Sequence, residues 1–209
     1  MRASHALASM AVLTTIIATT GTAQSPPEDA TVTALTRALD RRMTVWRSGS
    51  RSVYVSHCRA VRGGCPERTA AFAQLIGDVA QTHAVDPFLL AAIAIRESGL
   101  DPTAAGAAGE RGIVQLHPRG SGSRVRYVRS EAYRRRCRSR PDACQREVLE
   151  AGAALLSRGI VRCGGVREAL GAYNRGTCGE TRYTTRVMNE RQRLLRLAKT
   201  DAMTVRDLD

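Results

Sequence analysis

One long apolar stretch constrains the fold more than any other feature of this 209-residue chain. It begins at Asp86-Pro87, where an N-cap acceptor is followed by proline at the first helical position, a strong start signal for a helix. The run FLLAAIAI carries this helix on to Glu97, and Gly99 predicts its end. Because the run has no polar face, the helix must be buried on most sides. The rest of the domain has to pack around it.

Several other segments carry apolar residues at a spacing near 3.6, which predicts amphipathic helices. They are 28–46, with Trp46 as its last apolar position, 67–83, 144–161, 166–173 and 183–198. Aromatic residues make up only 4% of the chain, so the core must consist mostly of Ala, Leu, Val and Ile. We therefore predict an all-α fold with one core. From Leu100 to Gly122 we expect an ordered loop of the kind that carries function.

The N-terminus has the pattern of a secretory signal peptide. Arg2 precedes an apolar run from Ala6 to Ala18, and small residues then fit a cleavage site near Ala23. The run is too short to span a bilayer, so stable membrane insertion is not expected. We expect residues 1–23 to be the signal peptide, 24–66 a helical extension, 67–200 the main domain and 201–209 a tail.

Six cysteines remain in the exported chain, which predicts three disulfides in an oxidising compartment. Fifteen connectivities are formally possible, and the short spacings favour local pairs: Cys58 with Cys65, Cys137 with Cys144 and Cys163 with Cys178. A zinc site is the alternative, although the chain has no Cys-x-x-Cys pair and only scattered histidines. We predict neither a metal nor a cofactor.

The formal net charge of +13 predicts an anionic partner: nucleic acid, an anionic membrane or an acidic cell-wall polymer. Arginine accounts for 31 of the 32 basic residues, a bias that a GC-rich coding sequence produces without any ligand. Residues 124–140 hold eight arginines with Tyr127 and Tyr133 between them. Such a segment could bind phosphates and stack on bases, or it could be solvated or face an acidic wall.

Glu97 is a candidate general acid on physical grounds. A carboxylate at the C-terminal end of a helix faces the negative pole of the backbone dipole, and this one follows an apolar run. Both effects raise the pKa of a carboxyl group, as a general acid at neutral pH requires. The alternative is a solvated glutamate paired with Arg96 or Arg111.

Two ordered motifs decide between these interpretations. The first is VDPFLLAAIAIRESGLDPTAAGAAGERGIVQLHP at residues 85–118, and the second is ALGAYNRG at 169–176. A weaker third block, GETRYTTRV, follows at 179–187. In this order the motifs resemble the soluble lytic transglycosylases, over roughly residues 70–198. That resemblance implies a lysozyme-like helical fold of the goose type, a bacterial periplasmic or secreted location, and cleavage of peptidoglycan by the 67–200 domain.

The resemblance also implies a mechanism and a set of site residues. Glu97 would protonate the oxygen that links N-acetylmuramic acid to N-acetylglucosamine and would then take a proton from the C6 hydroxyl, which closes a 1,6-anhydro ring without water. Tyr173 would orient Glu97 or the acetamido group, and the Gly109 and Gly112 backbones would let the glycan approach closely. The residues expected to contact the sugar are Ser98, Gln115, Tyr173, Asn174, Glu180 and Tyr183. The expected partners are peptidoglycan glycan strands and no nucleic acid, and we expect a monomer.

The chain also departs from the family pattern. Gly106 stands where the family usually has a serine that touches the sugar, and Glu110 and Arg111 stand where small residues are usual. Glu110 could position water as a second carboxylate, which would make the protein a lysozyme-like hydrolase. A basic nucleic-acid-binding module and an inactive scaffold with the same fold are the remaining alternatives.

Overall fold

The structure, a computed structural model, describes residues 28–49, 51–59 and 64–199. The signal peptide expected at 1–23 and the tail expected at 201–209 lie outside these residues. Within the described ranges, helices form the core and a two-stranded hairpin is the only sheet, so the all-α class is confirmed. None of the helices described there combines the length and the apolarity that a membrane span needs.

Helices follow one another along most of the chain, with one hairpin near the start. In order, the elements are α1 (Glu28–Met43), β1 (Thr44–Ser48), β2 (Arg51–Tyr54), α2 (Ser56–Arg59), α3 (Gly64–Thr82), α4 (Pro87–Ser98), α5 (Arg126–Arg129), α6 (Glu131–Arg136), a short 3-10 turn (Asp142–Cys144), α7 (Arg146–Cys163), α8 (Val166–Arg175) and α9 (Arg182–Lys199).

The N-terminal helix belongs to the same core as the rest of the molecule. α1 packs against α3 and α9 and buries Leu35, Leu39 and Met43 completely or almost so. These side chains join one hydrophobic cluster that also contains the apolar residues of α4. The extension expected over 24–66 and the domain expected from residue 67 therefore share a core, and α3 already begins at Gly64.

The first helix is shorter than predicted, because a β-hairpin follows it directly. β1 and β2 pair antiparallel, with Trp46 opposite Val53, and Gly49 takes a positive φ of 54° in the connection. β-branched and aromatic residues favour extended backbone, and here that preference overrides the helical spacing. The prediction that Trp46 lies on a buried helical stripe is wrong, since 53% of its surface is exposed.

The buried helix α4 begins and ends where the sequence predicts. The Asp86 carboxylate accepts the backbone N–H of Leu89 at 3.0 Å and also forms an ion pair with Arg191 of α9. At the other end, Gly99 caps the helix with a φ of 65°. All residues from 89 to 95 are buried, and α4 packs against α3 and α9. The core therefore fixes the position of Glu97 in the last turn.

The three disulfides form between the pairs that the spacing favours: Cys58–Cys65, Cys137–Cys144 and Cys163–Cys178. No free cysteine remains, so no thiolate is available for a zinc site. The third disulfide ties the end of α7 to the loop before α9.

Candidate active site

A cleft of ≈ 460 Å³ opens beside the last turn of α4. Its walls come from the end of α4, the loop that follows it, α7 and α8. The lining residues are Glu97, Gly106, Glu110, Gln115, Leu116, His117, Ser121, Leu155, Tyr173 and Asn174. The cleft thus brings together four of the predicted site residues: Glu97, Gln115, Tyr173 and Asn174.

Glu97 is half-buried at the cleft wall, and among the described residues its close polar partner is Tyr183. The hydroxyl of Tyr183 donates a hydrogen bond to Glu97 Oε1 at 2.5 Å. Burial raises the pKa of Glu97, and the nearby Glu110 carboxylate adds to the rise, while the Tyr183 hydrogen bond and Arg96 oppose it. The net direction is upward, which favours a protonated carboxyl at higher pH. This environment is suited to a general acid.

Tyr173 and Tyr183 form a stacked pair next to this carboxyl. Their ring centroids lie 6.5 Å apart and the rings are nearly parallel. We expected Tyr173 to orient either Glu97 or the acetamido group of the sugar. Its hydroxyl donates to the carbonyl of Val114 at 3.2 Å, and the hydrogen bond to Glu97 comes from Tyr183. Burial, helped by the negative charge of Glu97, raises the pKa of both phenols. Both therefore remain hydrogen-bond donors.

The start of α9 places Tyr183. Thr181 caps the helix, because its Oγ1 accepts the backbone N–H groups of Tyr183 at 3.1 Å and Thr184 at 3.2 Å. The loop before α9 lies so close to α8 that a Cβ added at Gly171 would be 1.7 Å from the carbonyl oxygen of Gly179. This close approach and the Cys163–Cys178 disulfide hold the first turn of α9 beside Glu97.

Gln115 presents a hydrogen-bond acceptor to the cleft. Its side-chain amide nitrogen donates to the carbonyls of Gly112 at 2.7 Å and Ala104 at 3.2 Å, which uses both amide hydrogens. The remaining oxygen, Oε1, lies 3.0 Å from the point that a Cβ on Gly106 would occupy. Gln115 also has a left-handed backbone with a φ of 47°, a strain that is typical of functional loops.

Gly106 and Glu110, two of the departures from the family pattern, are one structural feature. A Cβ on Gly106 would lie 2.3 Å from Glu110 Oε2, so only glycine leaves room for this carboxylate. The same oxygen accepts the backbone N–H of Ala108 at 3.0 Å. Glu110 therefore sits over Gly106 in the cleft that also contains Glu97.

A model of the family described as Transglycosylase SLT domain matches residues 74–195 of the chain. The chain belongs to this family. All the residues that line the cleft fall within the matched range, and the fold is lysozyme-like. Membership indicates a transglycosylase that acts on peptidoglycan. Comparisons with curated proteins and with solved structures found no match.

The SLT domain does not bring Ser98 or Glu180 to the cleft wall. The Ser98 hydroxyl lies 2.8 Å from the carbonyl oxygen of Ile113 and 3.0 Å from that of Ala94, so it fastens the loop to α4. Glu180 pairs with Arg167 at 2.6 Å, and both side chains are exposed. The side chains of Ser98 and Glu180 therefore contact other parts of the protein, and neither residue lines the cleft.

The two glycines expected to admit the glycan are also absent from the cleft lining of the SLT domain. A Cβ on Gly112 would lie 2.8 Å from both Gln145 Oε1 and a methyl group of Val148, so this glycine allows the loop to pack on α7 and the turn before it. A Cβ on Gly109 would meet only Pro118. The glycine that opens the cleft is Gly106.

Four cleft residues of the SLT domain were not predicted: Leu116, His117, Ser121 and Leu155. Leu155 belongs to an apolar helical stripe, and nothing in that pattern separates a cleft position from a core position. His117 follows the Gln115 motif by two residues, and this proximity is the one signal that could have found it. Its Nδ1 accepts the backbone N–H of Arg119 at 3.1 Å, so the ring is held at the cleft by its own loop.

Proposed function

We propose that this protein is an exported lytic transglycosylase that cleaves the β-1,4 bond between N-acetylmuramic acid and N-acetylglucosamine, with Glu97 as both acid and base. One observation carries the proposal. The carboxyl of Glu97 is half-buried in a cleft wall, its pKa is raised, and a tyrosine hydroxyl donates a hydrogen bond to it. A carboxyl in such surroundings can give up its proton and later take one back.

The proposed reaction has two balanced steps. In the first, Glu97 transfers its proton to the glycosidic oxygen, the bond from that oxygen to C1 breaks, and the 2-acetamido group of the muramyl sugar stabilises the positive charge that develops at C1. In the second, the Glu97 carboxylate removes the proton of the C6 hydroxyl, whose oxygen forms a bond to C1 and closes the 1,6-anhydro ring. Glu97 ends protonated, and water is not consumed.

Tyr183 acts in this proposal as a positioning residue. Its hydroxyl holds one carboxylate oxygen of Glu97 and stabilises the charge present between the two steps. The second oxygen then remains available to the sugar. Gln115, Asn174 and Tyr173 line the same cleft, and we assign these three residues to the sugar.

A hydrolytic variant is the second candidate, and the position of Glu110 favours it. Glycosidases that use water commonly have two carboxylates across the scissile bond, and Glu110 lines the same cleft as Glu97. In this variant Glu110 would take the proton of an attacking water molecule. The product would then carry a reducing end in place of an anhydro ring.

Export is proposed from the N-terminal pattern and the cysteines. Three disulfides with no free thiol are typical of proteins in an oxidising compartment. Together with the signal peptide expected at residues 1–23, they favour the periplasm or the medium, where peptidoglycan is accessible.

Mass spectrometry of sacculus digests tests the proposal. The wild type, Glu97→Gln and Glu150→Gln are compared, because Glu150 is an exposed glutamate outside the cleft and serves as the matched control. We expect anhydro-muropeptides from the wild type and the control and none from Glu97→Gln. Reducing-end products would favour the hydrolase, and undiminished release by Glu97→Gln would refute the site.

A further inference from the structure

More than half of the net charge of this protein lies in a tenth of its length. Residues 119–140, which we call the arginine segment, contain nine arginines and one glutamate, so they contribute +8 of the total +13. They span α5, α6 and the loop before them. Of the residues in this segment only Ser121 lines the cleft, so the positive charge of the segment has no role in the cleft described above.

The arginine segment is held on a fixed frame. Tyr127 is buried, and its hydroxyl donates to the carbonyl of Pro102 at 2.6 Å. Arg134 donates to the carbonyls of Tyr127 and Val128 at 2.9 Å each. The Cys137–Cys144 disulfide closes the end of the segment. The backbone therefore presents its charges in a defined arrangement, which a binding surface requires.

Most of these charges are directed to solvent without a carboxylate beside them. The exposed arginines are Arg119, Arg124, Arg126, Arg129, Arg135, Arg136, Arg138 and Arg140. Among the described residues, Arg135 pairs with Glu131 at 2.6 Å and Arg126 lies 4.0 Å from Glu147, and the other six have no ion pair. Concentrated, unneutralised guanidinium groups on a rigid frame favour an anionic ligand.

The arginine segment begins at the cleft itself. His117 and Ser121 line the cleft, and Arg119 lies between them in the chain. The backbone N–H groups of Gly120 and Gly122 both donate to the carbonyl of His117 at 3.0 Å, so this loop folds tightly against the cleft wall. The first residues of the arginine segment therefore flank the cleft.

We propose that the arginine segment binds the carboxylates of the peptides carried by the glycan strand and holds the strand while the cleft engages its sugars. This inference rests on the proposed substrate. Guanidinium and carboxylate groups form paired, charge-assisted hydrogen bonds, and the peptide stems of peptidoglycan end in carboxylates. Two contacts on one polymer raise its effective concentration at the cleft.

The aromatic residues of the segment argue against single-stranded nucleic acid as the ligand. Base stacking needs an open aromatic face. Tyr127 is only 3% exposed, and Tyr133 has the guanidinium carbons of Arg126 and Arg136 at 4.4 and 5.5 Å from its ring centroid. Both rings serve the internal packing of the segment, so they offer no stacking platform.

Co-sedimentation with purified sacculi tests the inference. All proteins are full-length and carry Glu97→Gln, so that the sacculi are not digested and the result does not depend on the catalytic proposal. The first triple variant removes three exposed arginines of the segment that have no ion pair among the described residues: Arg124→Gln, Arg138→Gln and Arg140→Gln. The matched control removes the same charge from exposed arginines outside the segment: Arg162→Gln, Arg186→Gln and Arg193→Gln. Melting curves establish that both variants are folded.

We expect binding that weakens with salt and falls about tenfold in the segment variant, with less than about a twofold change in the control. Conversion of the sacculus carboxylates to amides should remove the difference between the two variants. An equal loss of binding in both variants would show that only the net charge of the protein matters, and it would overturn the inference. Unchanged binding to the amidated sacculi, or tighter binding to single-stranded or duplex DNA at the same salt, would overturn the assignment of the ligand.

Discussion

Replacing Tyr183 by phenylalanine should extend the activity of this protein to higher pH. The substitution removes the hydroxyl that donates to Glu97 Oε1 at 2.5 Å, and it keeps the ring that stacks on Tyr173. In the wild type, this hydrogen bond stabilises the ionised form of Glu97 and lowers the pKa of its carboxyl. Without it, the pKa of Glu97 should rise above its already raised value. The less solvated surroundings left by the phenylalanine act in the same direction.

The size of this effect follows from the charge on the acceptor. A hydrogen bond to a charged group contributes about 1.5–3 kcal/mol, which corresponds to about one to two pH units. The reaction needs protonated Glu97, so activity is lost as the pH rises through the pKa of this group. The alkaline limb of the kcat/KM profile should therefore move upward by that amount. The plateau should fall, because the carboxylate formed after the first step loses its partner.

The assay is release of soluble muropeptides across a pH series, with Tyr173→Phe as the matched control. The hydroxyl of Tyr173 donates to the Val114 carbonyl, and not to Glu97, so its removal should leave the alkaline limb in place even if KM changes. A downward shift of the limb in Tyr183→Phe would contradict the assigned role of Glu97. An equal shift in both variants would show that the stacked rings act through burial alone.

Two further substitutions separate structural from chemical roles. Gly106→Ala introduces a Cβ 2.3 Å from Glu110 Oε2, the flexible end of that side chain, and 3.0 Å from Gln115 Oε1. Thermal melts should therefore show a loss of about 1 kcal/mol that is partly relieved in Gly106→Ala/Glu110→Ala, and an undiminished loss in the double variant would contradict the position of Glu110 over Gly106. Ser98→Ala leaves the buried Ile113 carbonyl without its hydroxyl partner and should cost about 1–3 kcal/mol of stability with little change in KM, whereas a large rise in KM without destabilisation would restore Ser98 as a sugar contact.

The parts of the fold that the sequence predicts well are those with local signals. The ends of α4 are set by Asp86, Pro87 and Gly99, which act within one turn of their own positions. The disulfides close short loops, so chain spacing alone favours the observed pairs. The hairpin after α1 was missed because Trp46 continues a helical spacing, and only pairing with Val53 reveals that the backbone is extended.

The sequence predicts which residues belong to the site better than it predicts their contacts. Contacts between residues far apart in the chain cannot be deduced from the spacing of motif residues. The motifs name both Tyr173 and Tyr183, but only the packing of α9 against α4 decides that Tyr183 reaches Glu97. In the same way, Gly106 and Glu110 are two unrelated departures in the sequence, and only the structure places one over the other. A motif therefore indicates which residues belong to the site, and tertiary packing determines which side chains contact each other there.

Digestion of sacculi in water labelled with heavy oxygen tests the central claim most directly. If Glu97 serves as both acid and base and the C6 hydroxyl of the sugar is the nucleophile, the muropeptides released should carry an anhydro ring and no label. Release of muropeptides with one heavy oxygen at C1 would contradict the account, because it would mean that water attacks C1 and that a second group, such as Glu110, activates it.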